Sequence, residues 1–325
     1  MPRPLSQCWP PQTSRRNLNI LHETFHHVYR GALYFRPMST RVHQALAAST
    51  NIVFPGVYDT LSAKMAERVG FPLAFVSGYA VSATLIGEPD FGLLTQSEVI
   101  DRARHICRSV SMPIIVDADT GYGNPLNVIR TVQELIDAGA AGCFLEDQQW
   151  PKRCGHMRGK KVIPKDEYLN KIHAAVDARQ DADFFIVART DAIASLGVDA
   201  AIERAEAAKA LGADATFIEA PRTMEELTEV GRRAPKPTVA NMIEQGRTPV
   251  LPQPELSRLG FQLILYPLTG LYASAKALET AFTHLQVTGT TAGHEDRLIS
   301  FERFNELIGV EQKYAKADKY TRKED

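Results

Sequence analysis

The chain has 325 residues, 44% hydrophobic and 23% charged, with a formal net charge of −1 at pH 7. That is an ordinary globular composition with material for a sizeable core, and the charge balance argues against a broad footprint for nucleic acid or an anionic membrane. No apolar run reaches the roughly 18 residues of a membrane span. The four cysteines (Cys8, Cys107, Cys143, Cys154) are too sparse for a disulfide framework and lack metal-like spacing, which points to a reducing, intracellular compartment.

Residues 1–37 form a distinct leader. Arg3, Arg15, Arg16, Arg30 and Arg36 face the single acid Glu23, and no apolar core of secretory length is present. Two readings stand: a mitochondrial or plastid transit peptide, or a disordered extension with Met38 as the true start. Without a transit peptide the expected location is cytoplasmic. From about residue 51, short apolar runs alternate with amphipathic helical stretches. The runs are 52–54, 73–76, 114–118, 143–145, 184–188, 216–218, 238–240 and 263–266; the helical stretches include 59–69, 97–109, 126–138, 165–178, 199–211 and 224–232. Gly70, Gly139, Gly212 and Gly260 stand where helices should stop. Continuous apolar runs suit parallel strands covered on both faces. Eight such units predict an α/β fold, a (β/α)8 barrel of the TIM type over 38–290. No G-x-G-x-x-G turn follows the first run, which weakens a dinucleotide-binding sheet. The segment 291–325 is expected to add a short helix over 299–307 and a charged, solvated tail.

Barrels of this kind do chemistry where their strands end, and here nearly every run ends in a polar residue. These are Ser77-Gly78, Asp117-Ala-Asp119-Thr-Gly-Tyr-Gly123, Glu146-Asp147, Arg189-Thr-Asp191, Glu219 and Asn241. Any one alone reads as a helix cap or a turn: Asp119 as the cap of the next helix, Asp147 as a partner for Lys152 or Arg153. Asp117, ending Ile-Ile-Val, has the least comfortable structural reading. Carboxylates sharing one rim repel one another unless a cation compensates. Asp117, Asp119 and Glu146, joined by Asp90 from a loop, offer only oxygen donors, the chemistry of Mg²⁺ or Mn²⁺ rather than zinc. Mg²⁺ keeps several waters, so some of these acids are expected to act through water.

The segment 148–161 is polar, basic, dotted with glycine and about twice the usual βα loop length. It reads as a lid over the barrel mouth. Cys154 lies between Arg153 and Gly155-His156, and positive neighbours are expected to lower its thiol pKa toward neutrality.

Together these motifs resemble the isocitrate lyase/phosphoenolpyruvate mutase superfamily over about residues 50–315. The resemblance is carried by Ser77-Gly78, Gly87-Glu-Pro-Asp-Phe-Gly92, Asp117-Ala-Asp-Thr-Gly-Tyr-Gly123, Leu145-Glu-Asp-Gln148, Lys152-Arg-Cys-Gly-His156, Val187-Ala-Arg-Thr-Asp191, Ile218-Glu-Ala-Pro221, Asn241-Met-Ile243 and Tyr266-Pro-Leu268. The subgroup it looks most like contains the plant petal death protein, 2-alkylmalate lyases and oxaloacetate hydrolases. The resemblance implies a Mg²⁺-dependent (or Mn²⁺-dependent) carbon–carbon lyase. It would cleave a 2-alkylmalate or 2,3-dialkylmalate to a 2-oxo acid and a carboxylate. Oxaloacetate hydrolysis to oxalate and acetate, methylisocitrate cleavage and carboxyphosphonoenolpyruvate mutase-like activity are the alternatives. An inert scaffold predicts gaps among the rim residues, and there are none. By the same resemblance Asp117 binds the metal, with Asp90, Asp119 and Glu146 bound directly or through water. Ser77, Gly78, Gly155, His156, Arg189, Glu219 and Asn241 hold the substrate. Cys154 is the acid or base, with Arg189 and Glu219 also counted as catalytic. The family's mutases lack the Cys-Gly-His signature. Its methylisocitrate lyases carry an arginine where Tyr272 falls here, which favours a dicarboxylate. The family packs as homotetramers with an exchanged C-terminal helix, an arrangement that suits the tail.

Overall fold

The computed structural model describes residues 40–321; the leader and its two readings lie outside them. Eight parallel strands close into one barrel: β1 (Ile52–Val57), β2 (Ala74–Val76), β3 (Ile114–Asp117), β4 (Gly142–Glu146), β5 (Phe185–Thr190), β6 (Ala215–Ile218), β7 (Thr238–Asn241) and β8 (Leu263–Tyr266). Pairing of β1 with β8, Ile52 opposite Leu263 through Pro55 opposite Tyr266, closes the ring. All eight expected strands are present.

The helices in chain order are α1 (Arg41–Ala47), α2 (Thr60–Val69), α3 (Gly78–Leu85), α4 (Gln96–Ser109), α5 (Pro125–Ala138), α6 (Lys165–Arg179), α7 (Ile193–Leu196), α8 (Val198–Ala210), α9 (Met224–Arg233), α10 (Gln253–Leu259), α11 (Thr269–Thr288), α12 (Phe301–Ile308) and α13 (Val310–Asp318). Local chemistry sets their ends. Asp59 and Thr95 cap α2 and α4 with reciprocal capping boxes, and Asn124 caps α5 just ahead of Pro125. Gly70, Gly139 and Gly260 end α2, α5 and α10 in the left-handed region. In α5 the buried Val128, Thr131, Val132, Leu135 and Ala138 recur every three to four residues and turn one stripe onto the strands.

The barrel interior is a packed core. Phe144 lies 4.6 Å from Phe75 and 5.5 Å from Phe217, ring centre to ring centre, among Phe54, Ile115 and Leu265. Helix α3 was not expected, because Gly-Tyr-Ala-Val-Ser-Ala-Thr-Leu has no polar stripe to reveal a period. The tail carries the short helix expected there and adds a second. Its helix spans Phe301–Ile308, and α13 occupies much of the stretch read as a solvated tail. Helix α11 runs 20 residues with none of them buried.

Candidate active site

Every polar strand end lies on the same rim, as parallel strands require. At the end of β2, Ser77 caps α3 by accepting from the Ala80 N–H. Gly78 follows, and a Cβ there would stand 2.9 Å from Asp117 Oδ2. The glycine thus lets the positive end of α3 approach the Asp117 carboxylate. After β3 the chain turns sharply, with Asp119 and Tyr122 at positive φ and the Asp119 N–H donating to Asp117 Oδ1 at 3.2 Å. Asp119 does not cap the following helix; Asn124 does.

Glu146 on β4 is in register with Arg189 on β5, and Arg189 Nε lies 3.2 Å from Glu146 Oε2. The guanidinium also reaches Asp191 at 2.9 Å and Glu219 at 3.2 Å, and lies over the Phe217 ring. Burial pushes Glu146 well above the usual carboxylate range, with Asp191 and Asp117 adding to it against Arg189 and Lys152. Burial would also raise Glu219, but Arg189, His156 and Lys160 outweigh it and hold that carboxyl below its usual range. Asn241 on β7 donates its amide to Glu219 at 3.2 Å. Asp147 belongs to the scaffold. Its partners are Arg204, Thr190 and the Asp191 N–H, not Lys152 or Arg153.

The β4 loop closes over this rim through several contacts. Gln148 brackets Arg153, accepting from its N–H and donating to its carbonyl. The Cys154 N–H donates to the Asp90 carbonyl at 3.2 Å. Gly155 presses on Glu219, where a Cβ would meet side-chain carbon at 2.5 Å. His156 Nδ1 accepts from the Arg247 N–H at 2.9 Å, which leaves the hydrogen on Nε2; that nitrogen lies 3.3 Å from Glu219 Oε1 without hydrogen-bond alignment. Lys160 Nζ binds the Gly155 carbonyl and lies 2.6 Å from Asp191. Lys152 Nζ lies 2.6 Å from Asp90 and 2.5 Å from Asp119.

Ser77, Asp90, Asp117, Cys154, Gly155, Arg189, Glu219 and Asn241 thus line one cavity of about 440 Å³, counting its open mouth. Asp119, Glu146, Gly78 and His156 do not line it, but each meets a residue that does: Lys152, Arg189, Asp117 and Glu219 in turn. Tyr79 and Lys152 also line it, and sequence reasoning gave neither a role there. The sequence held only a faint signal for Lys152, its place beside Arg153 directly ahead of the loop cysteine; its acid partners come near only in the fold.

Two expectations need correction. Cys154 is not poised as a thiolate: burial pushes its thiol up to about 12, with Asp90 and Glu219 adding to the rise against the His156 N–H and Arg189. Arg153 turns away instead, to the Arg158 carbonyl and the Phe91 ring. Nor is the acid rim without an internal counter-charge, because Lys152, Lys160 and Arg189 are all inserted into it.

Among the described residues, the six buried carboxylates of Asp90, Asp117, Asp119, Glu146, Asp191 and Glu219 are met by these three cations, with His156 also 3.3 Å from Glu219. Glu146 Oε1 is buried without a hydrogen-bond partner. An all-oxygen donor set with surplus negative charge and an orphaned carboxylate oxygen fits a hard divalent cation. Among the described residues no three His, Cys, Asp or Glu side chains converge tightly enough to ligate an ion together.

The profile of the phosphoenolpyruvate phosphomutase family matches residues 43–286. The carboxyvinyl-carboxyphosphonate phosphorylmutase, chloroplastic, of Arabidopsis thaliana is 48% identical, covering 92% of this chain and 90% of its own length. The petal death protein of Dianthus caryophyllus is 49% identical, covering 86% and 89%. The 2,3-dimethylmalate lyase of Eubacterium barkeri is 44% identical, covering 84% and 95%. Among solved structures, oxaloacetate acetylhydrolase with 3,3-difluorooxalacetate superposes with a TM-score of 0.82 at 35% identity, covering 88% of this chain and 97% of that one. Phosphonopyruvate hydrolase with oxalate and Mg²⁺ superposes with a TM-score of 0.78 at 30% identity, covering 87% and 98%.

Proposed function

This chain belongs to the phosphoenolpyruvate mutase/isocitrate lyase superfamily, and from that premise we propose that it is a carbon–carbon lyase acting on 2-alkylmalates or 2,3-dialkylmalates. The observation that carries this reading is Cys154. The β4 loop holds a protonated thiol at the cavity, opposite a carboxylate cluster and Arg189. Phosphoryl migration has no need of such an acid, whereas a carbanion left by C–C cleavage does.

In this reading Asp117, with Asp90, Asp119 and Glu146 directly or through water, holds Mg²⁺ or Mn²⁺. The ion, when bound, polarises the C2 oxygen of the substrate as a Lewis acid. Arg189 and the N–H groups at the start of α3 hold substrate carboxylate oxygens. Ser77, Gly155, His156, Glu219 and Asn241 complete the cradle. The Glu219 carboxylate, held ionised by Arg189, His156 and Lys160, accepts the C2 hydroxyl proton as the C2–C3 electron pair passes to the departing carboxylate fragment. The Cys154 S–H then protonates that fragment at C3, and the closed loop excludes water. Ile243, Pro267 and Leu268 give the cavity an apolar wall suited to alkyl substituents.

Oxaloacetate hydrolysis on the same groups is the second reading, favoured by the likeness to oxaloacetate acetylhydrolase. Purified protein and Mg²⁺ are to be incubated with 2-methylmalate, 2,3-dimethylmalate, oxaloacetate and methylisocitrate, with products identified by NMR. Release of a 2-oxo acid from the malates, faster than oxalate from oxaloacetate, supports the lyase. The reverse order supports the hydrolase.

Two further proposals go with this reading. The basic leader is a plastid transit peptide, in keeping with the chloroplastic Arabidopsis relative. The chain assembles as a homotetramer with α11 exchanged between subunits. Phe282, Leu285 and Val287 of α11 and Phe301 of α12 are exposed. An apolar groove between α2 and β1, lined by Val53, Leu61, Met65, Val69 and Phe71, offers a seat for such a helix.

A further inference from the structure

Lys152 reaches the carboxylate cluster from the loop that also carries Cys154. It is 4% exposed, and its Nζ lies 2.6 and 2.8 Å from the two oxygens of Asp90 and 2.5 Å from Asp119 Oδ1. Two of the four acids proposed for the metal therefore already share an ammonium. Asp90 grips the loop twice, through this ammonium and through its carbonyl, which accepts the Cys154 N–H. Glu146 Oε1 remains without a hydrogen-bond partner on the same side of the barrel.

We propose that Lys152 is a positioning residue that balances the charge of the metal cluster, weakening divalent-cation binding while tying the β4 loop and Cys154 to that cluster. The inference rests on the proposed assignment of the metal to Asp90, Asp117, Asp119 and Glu146. A unit positive charge and a dication held by the same carboxylates repel, and buried charges are screened little by salt. The repulsion is offset by what the lysine gives in return, a loop anchored over the substrate. Removing the ammonium therefore moves two observables in opposite directions: the metal binds more tightly and the loop is held less tightly. A lysine that only filled space would loosen the loop without tightening the metal. One that oriented the acids for the ion would weaken metal binding.

The test is Mn²⁺ binding, by calorimetry and by the electron paramagnetic resonance signal of free Mn²⁺. It uses the full chain and its Lys152→Met, Lys152→Gln and Asp117→Ala variants. Trypsin cleavage at Arg153, Arg158, Lys160 and Lys161 reads the loop, and circular dichroism identifies which lysine variant is folded. The wild type should bind Mn²⁺, and Asp117→Ala should abolish that binding. Whichever lysine variant is folded should bind Mn²⁺ about tenfold more tightly or better, the order expected for a unit charge close to a dication in a partly buried site. Trypsin should cut its loop faster than that of the wild type. Unchanged or weaker binding in the lysine variants, with Asp117→Ala still negative, overturns the role of Lys152 and leaves the metal assignment standing. A wild type whose Mn²⁺ binding survives Asp117→Ala, or that binds no Mn²⁺, overturns the assignment and the inference with it.

Discussion

Cys154 rests as a thiol because burial and the nearby Asp90 and Glu219 carboxylates disfavour its charged form. A general acid must hold its proton at the start of the step; the upward shift secures that and a thiolate would not, at a cost in acid strength. Cys154→Ser should lower kcat by about 10²–10⁴-fold, the usual span of acid–base contributions, with a stability loss in the ordinary range of about 0.5–3 kcal/mol for a partly buried site; steady-state assays and thermal melts check both. With the thiol at about 12, the thiolate fraction at neutral pH is small and rises as pH rises toward that value. Iodoacetamide should therefore label Cys154 more slowly than free cysteine at pH 7. The rate should climb about tenfold per pH unit through pH 10, and a plateau near pH 8 would restore the activated thiolate. Tyr272 sits by Tyr79, Cys154 and Glu244, and burial with these neighbours pushes its phenol up to about 12. Tyr272 is 41% exposed and none of these neighbours is a cation, so a third carboxylate there gains no ion pair in exchange for the water it gives up. Methylisocitrate should accordingly have a far lower kcat/KM than 2,3-dimethylmalate. At this scale Asp117, Glu146, Glu219 and Arg189 were legible because each stands at or near the end of an apolar run, and a barrel turns such ends onto one rim. Lys152 was not legible, because its partner Asp90 is 62 residues away and only the closed loop brings them together.

The β4 loop shows how an element is fixed by contacts its own sequence does not reveal. Its length and composition marked it as a cover for the barrel mouth. Its closed position depends on Lys160 joining the Gly155 carbonyl to Asp191, and on His156 between Glu219 and Arg247. Lys160→Met removes the first link while Asp191 keeps Arg189. Opening the loop should then become easier by about 1–3 kcal/mol, the cost range for an unmade buried hydrogen bond. Cys154 should be alkylated roughly ten- to a hundredfold faster than in the wild type at the same pH. A labelling rate equal to that of the wild type would show that Lys160 does not hold the loop. The long α11 escaped prediction for a related reason. A helix with no buried residue in its own subunit lacks the one-sided apolar stripe by which helices are recognised.

For the whole molecule, the (β/α)8 order was legible because buried parallel strands leave continuous apolar runs and glycines punctuate the helices between them. The tail was less so, since α11 to α13 bury no residue and so leave no one-sided apolar stripe to read. Light scattering should give a mass four times that of one chain, and Phe282→Glu, on the exposed face of α11, should shift the particle toward smaller species. A monomer at micromolar concentration would contradict the exchange of that helix. The central claim is that these strand ends form a metal-dependent C–C lyase. It is tested most directly by timing 2-oxo acid release from 2,3-dimethylmalate in the presence of Mg²⁺, using the wild type, Asp117→Ala and wild type treated with excess chelator. Release by the wild type alone is the predicted result; equal release by all three, or none by the wild type, would contradict it.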